Sequence, residues 1–123
     1  MFTECTIREI IQLLDLKGLN EVILSERGSL VLNGMEFKQN TLVFYVPCEK
    51  EFFKLTANPN AKPVNNFGLM DKQNFCISTK YGNVYFYNTR VDVDTNCNWD
   101  THSKVYFFHE GYLRRYQGKR EFY

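Results

Sequence analysis

A chain of 123 residues with 44% hydrophobic, 24% charged and 16% aromatic side chains has the size and composition of one domain, expected to span residues 1–123 around a single core. A net charge of +1 excludes the strongly basic surface of a general nucleic-acid binder and the acidic surface of a phosphate mimic. Met1-Phe2-Thr3-Glu4 lacks the basic and apolar runs of a secretory signal, and no stretch reaches the ~18 apolar residues of a membrane span, so a cytoplasmic protein is expected, with no membrane partner and with its four cysteines as free thiols.

The first expected element is a helix. Thr6-Ile7-Arg8-Glu9 fits a capping box, in which the Thr6 hydroxyl accepts the Glu9 amide and the Glu9 carboxylate reaches back to the Thr6 amide. Ile7, Ile10, Ile11 and Leu14 then recur at i, i+3, i+4 and i+7, with Gly18 placed to end the segment. So short a helix is marginal alone, so its stripe packs on the neighbouring sheet or, as an alternative, forms a homodimer interface.

Glu21 to Pro47 reads as an antiparallel meander. Asn33-Gly34 suits a two-residue hairpin loop, which sets Leu32 opposite Met35 and Leu30 opposite Phe37. Gln39-Asn40 as a second such loop sets Phe37 opposite Leu42 and Met35 opposite Phe44. Upstream, Glu26-Arg27-Gly28 fits a three-residue loop with Gly28 left-handed, pairing Leu24 with Leu30 and Val22 with Leu32.

Phe52-Phe53-Lys54-Leu55 is too short for periodicity to decide between helix and strand. Thr56 to Gly68 is rich in Asn and Pro and reads as a long loop. Phe75 to Val93 carries a hairpin, for which a Tyr81-Gly82 loop puts Phe75, Ile77, Val84 and Phe86 on one face and sends Tyr85 and Tyr87 outward; a Lys80-Tyr81-Gly82 loop flips the second strand. Asp94 to Ser103 is a polar connection. Lys104 to Phe108 and Tyr112 to Tyr116 form a last hairpin around a Glu110-Gly111 turn, and residues 119–123 are a frayed or docked tail. The fold class is therefore α+β: one short N-terminal helix packed on a mostly antiparallel β-meander of about six to eight strands, the sheet curled or in two layers.

Chemistry is sparsely marked. Asp92, Asp94, Asn96, Asn98 and Asp100 alternate as in a calcium loop, but Cys97 stands where that loop needs glycine and Ser103 where it needs the bidentate glutamate. Cys97, His102 and His109, with Cys48 or Cys76, match no zinc-binding spacing. No nucleophile elbow, Walker loop, zinc-protease helix or dinucleotide-binding glycine motif is present. No catalytic residue, metal or cofactor is expected, and the chain is read as not an enzyme.

Tyr and Arg gather in the last two hairpins. Tyr rings stack on bases and Arg forks phosphate, and the same residue types dominate protein interfaces. The Glu110-Gly111 register pairs Tyr106 with Arg115 on the outer face and gives Val105, Phe107, His109, Tyr112 and Tyr116 to the core. The expected binding residues are Tyr85, Tyr87, Arg90, Tyr106 and Arg115, on one surface if the two hairpins lie side by side. Small, motif-poor and rich in Asn, Lys, Phe and Tyr, the chain is similar in style to accessory proteins of phages and other mobile elements of AT-rich hosts. The expected function is a non-enzymatic binding module, an inhibitor of a host protein acting through a sheet face, with a protein partner. The alternative is binding of a nucleotide or single-stranded nucleic acid by the Tyr/Arg surface.

Overall fold

The computed structural model describes residues 2–35, 41–64 and 74–116, Tyr116 by its backbone alone. Helix α1 runs Glu4–Leu13 and starts earlier than the capping box implies, because Thr3 is its cap: the Thr3 hydroxyl accepts the Thr6 amide. The Glu9 carboxylate is thereby released from capping and accepts the Tyr81 hydroxyl. Ile7, Ile10 and Ile11 are buried, and Leu14 packs beside them. This stripe lies within the monomer's core, so the apolar surface that the homodimer alternative required is already used.

Among the described residues seven strands form one sheet: β1 Ile23–Leu24, β2 Thr41–Tyr45, β3 Ala61–Pro63, β4 Asn74–Thr79, β5 Gly82–Tyr87, β6 Cys97–Asp100 and β7 Val105–Phe108. Their spatial order is β3-β4-β5-β2-β1-β7-β6. The α+β class and the N-terminal helix packed on the sheet hold. The sheet is mixed rather than purely antiparallel, because β2 runs parallel to β5 and β1 parallel to β7.

The meander is corrected between residues 26 and 35. Glu26–Leu32 is helix α2, not a turn and a strand. Asn33-Gly34 ends that helix instead of closing a hairpin. The Met35 amide donates to the Leu30 carbonyl and the Gly34 amide to the Val31 carbonyl, with Gly34 at φ 78°, the hydrogen-bond pattern by which a left-handed residue closes a helix C-terminus. Both structures ask for Asn-Gly, so the dipeptide could not separate them. Leu30, Val31 and Leu32 form an unbroken apolar run because α2 is wedged between two cores, Leu30 in one and Val31 and Leu32 against the other. The expected Gln39-Asn40 turn and Phe37 lie outside the described residues, as does the tail from residue 117.

The undecided stretch at 52–55 belongs to helix α3, Glu49–Leu55. The β4–β5 hairpin turns at Lys80-Tyr81, since Thr79 pairs with Gly82. That is two places from the preferred register, and because strand faces alternate with period 2 the face assignment survives: Phe75, Ile77, Val84 and Phe86 are buried together. The polar connection after residue 92 contains a one-turn helix α4, Val93–Asn96, and then β6. The last hairpin is corrected too, for Glu110–Tyr116 is helix α5. Glu110 and Arg114, four residues apart, form an ion pair along its exposed side, and His109 caps it by accepting the Tyr112 amide at Nδ1.

Each face of the sheet carries its own core. On the first, Leu42, Phe44 and Val46 meet α1 and Phe52 of α3. On the second, Ile23, Val43, Tyr45 and Phe108 meet Leu30 of α2 and Tyr112 and Leu113 of α5. The segment from β5 to α4 packs Val91 and Val93 onto this second core.

Candidate functional site

The second face carries a cross-strand row that the registers define. Asn74 of β4 lies beside Tyr87 of β5, then Tyr45 of β2, Ile23 of β1, Tyr106 of β7 and Trp99 of β6. The middle is sealed: Ile23 and Tyr45 are buried, with the Tyr45 ring tilted against Tyr87 at 6.3 Å and edge-on to Phe108 at 6.3 Å. Its β6 end is open. Trp99 is 43% exposed and meets Tyr106 edge-on, ring centroids 4.8 Å apart.

The expected binding residues divide on this frame. Tyr87 and Tyr106 share the row and Tyr85 sits in the next one, beside Val43 and Cys76. Tyr85 and Tyr87 do not face open water as expected; they are half-buried against the second core. The two segments are not neighbours. β5 and β7 are separated by β2 and β1, three strand spacings or about 14 Å. Arg90 is exposed beyond the end of β5, and Arg115 is exposed on α5 rather than paired with Tyr106. The structure therefore unites Tyr106 with Trp99, a residue the sequence left unmarked because Asn98-Trp99 lay within a stretch read as polar loop.

Beneath the row lies a buried polar contact. Glu26, 2% exposed at the start of α2, accepts hydrogen bonds from the Tyr45 hydroxyl at 2.9 and 3.2 Å. Nearby, burial first and then the negative charges of Glu26, Asp92 and Glu21 push the Cys97 thiol up to about 12. A thiol so placed is protonated at neutral pH and a poor nucleophile. Burial also raises the Cys76 thiol, against smaller opposing effects of Tyr85, Lys62 and the Val84 backbone.

His109 has both ring nitrogens engaged, Nδ1 as the acceptor for Tyr112 and Nε2 with the Thr95 carbonyl. These two contacts make the ring a helix cap. Of the acidic series, Asp92 caps α4 by accepting the Thr95 amide, and Asp100 accepts from Arg8 of α1. Among the described residues no three His, Cys, Asp or Glu side chains converge as metal ligands.

A cleft of about 290 Å³ opens between α3 and the β3–β4 edge, walled by Phe52, Phe53, Phe75 and Pro63. Among the described residues no helix is long and apolar enough to cross a membrane. Comparison of the chain with protein-family models, with curated proteins and with solved structures finds no match.

Proposed function

We propose that this chain is a non-enzymatic module that binds a protein partner through the β6 end of the second sheet face, with Trp99 and Tyr106 as the anchoring pair. The observation that carries it is the exposure of Trp99, the chain's one tryptophan, already braced against Tyr106. Large aromatic rings held rigid at a surface give contact area at little entropic cost and recur as interface hot spots. The protonated Cys97 thiol and the capping role of His109 support the non-enzymatic side of the proposal. That the partner is a host protein inhibited by a phage or mobile-element accessory protein rests on composition alone.

Of the five residues expected from the sequence, Tyr106 stays at the centre of the proposed surface. Arg115 and Arg90 are solvent-facing cations available to a partner, while Tyr85 and Tyr87 serve chiefly the core. Affinity capture from the cells that make the protein, with wild-type and Trp99→Ala baits, tests the proposal. The variant is expected to keep its melting temperature within a few degrees and to lose the partner by at least about tenfold. Retention of the partner by Trp99→Ala refutes it. Capture that weakens steeply with salt and depends on Arg90 and Arg115 instead favours the nucleic-acid alternative, since phosphate contacts release counterions.

A further inference from the structure

The two outer edges of the sheet are finished differently. At one edge, the Val64 amide donates to the Asn74 carbonyl, so in the β3–β4 ladder residues 62 and 64 face β4 while Ala61 and Pro63 face outward. Neither offers a donor: proline has no N–H, and the Ala61 amide is spent on the Asn58 carbonyl. Such an edge has no outward N–H to offer and is a poor template for another strand.

The opposite edge, β6, is paired with no further strand among the described residues. The His109 amide donates to the Asn96 carbonyl, which sets residues 96, 98 and 100 toward β7 and turns Cys97 and Trp99 outward. The Tyr106 amide confirms the alternation by donating away from β6, to Val22. The Cys97 amide closes α4 on the Val93 carbonyl. By the same alternation the Trp99 N–H and C=O point away from β7; no turn, loop or cap hydrogen bond among the described residues engages them, and the indole beside them is exposed.

We infer that the outer edge of β6 takes up an extended segment of the protein partner as an added strand; this deepens, and rests on, the proposed protein-binding function. An outward N–H and C=O on one residue is the pair that an antiparallel strand answers with two hydrogen bonds. The four residues of β6 admit little more than that pair and its flanks. Main-chain pairing therefore sets orientation, and the Trp99 ring supplies contact area to a side chain of the incoming strand on the same face.

The test uses the full chain and a phage-displayed library of random twelve-residue peptides, with recovered peptides resynthesised carrying N-methyl groups at each backbone position in turn. Strand addition predicts at least about tenfold loss on methylating the residue opposite Trp99 and less than about twofold at its neighbours, together with at least about tenfold slower hydrogen exchange of the Trp99 amide in the complex. Trp99→Pro should abolish peptide binding, and Trp99→Phe should retain it. Proline is tolerated where the lost N–H faced solvent, but if the variant fails to fold, the methyl scan on the wild-type chain decides.

Peptides indifferent to methylation, no peptide dependent on β6, or occupation of this edge by a second copy in sedimentation of the free chain overturns the inference. Loss of the captured partner in Trp99→Ala without any methylation-sensitive peptide leaves the protein-binding proposal standing and removes strand addition alone.

Discussion

Gly28 shows how a residue is required for a reason its neighbours in sequence do not reveal. The chain pattern asks for a left-handed turn there; the structure instead puts it inside α2, where a Cβ would stand 2.5 Å from Leu24 Cδ1 and 2.7 Å from Cγ. Leu24 is fully buried and has little room to retreat. Gly28→Ala should therefore destabilise by about 1–3 kcal/mol through overpacking, outweighing the helix-propensity gain of about 1 kcal/mol. Urea denaturation of Gly28→Ala, Leu24→Ala and the double variant checks this. The extra cost should vanish once Leu24 is truncated, and strictly additive losses would show that the contact is not its cause.

The Cys97 thiol gives a second expectation at this scale. Its value is raised on folding to about 12, so the neutral thiol's contribution is complete below the ordinary thiol value of ~8.5 and is lost as pH climbs from there toward 12. Cys97→Ala should flatten the alkaline fall of the melting temperature. In native protein at pH 8, a disulfide reagent should label the exposed Cys5 and Cys48 well before Cys97.

Among the elements, α1 depends on its cap and its clasp. Thr3→Ala should cost about 1 kcal/mol of stability and Thr6→Ala clearly less, the reverse of what the Thr6 capping box implies; chemical denaturation of the two variants ranks them. The clasp is Arg8, which reaches from α1 to Asp100 and Ser103 on the β6–β7 hairpin. Burial alone would raise the Asp100 carboxyl, but hydrogen bonds from Ser103 and Arg8, the Arg8 charge and the His102 amide hold it below the usual aspartate value. A lowered carboxyl stabilises the fold above its unfolded value of ~3.9, and that stabilisation disappears as pH falls through the lower folded value. Asp100→Asn should thus narrow the stability difference between pH 6 and pH 3.

Elements were legible where one signal had one meaning. The Ile7, Ile10, Ile11 stripe could only be a helix, and the alternation of Val84 and Phe86 with Phe75 and Ile77 survived an error in the turn because its parity did not change. Elements were illegible where a local signal fits two structures. Asn33-Gly34 serves hairpin and helix end alike, and Glu110-Gly111 read as a turn although the Glu110–Arg114 spacing was a helical cue. The candidate site suffered most, because its open end is built by β6, a short polar edge strand whose partner is fixed only by long-range pairing.

For the whole molecule, the sheet is joined across its middle by the two residues of β1. On one side stand β3, β4, β5 and β2; on the other, β7 and β6. Ile23 and Leu24, helped by α2 and by the Arg8 clasp, hold the halves together. The β6–β7 hairpin should therefore open as a local unit. In native-state hydrogen exchange, its mutually bonded amides are expected to show lower opening free energies than those of β2, β4 and β5, and Arg8→Ala should lower the hairpin's values alone. Equal protection throughout would mean that the halves open only together.

The position of β1 between β2 and β7 also governs the order in which a growing chain can finish itself. Synthesis runs from the amino end, so β1 emerges long before residues 105–108, which pair along its parallel side. A ribosome-bound chain that has delivered residues up to about 90 can already set β1 beside β2 and build outward to β5, β4 and β3. Until Val105–Phe108 leaves the exit tunnel, the far side of Ile23 and Leu24 stays uncovered, and so does the surface that Phe108, Tyr112 and Leu113 later seal. The most vulnerable interval in the synthesis of this fold is thus the one between the emergence of β5 and that of β7 and α5, when an exposed strand edge and half of the second core wait on residues 105–113.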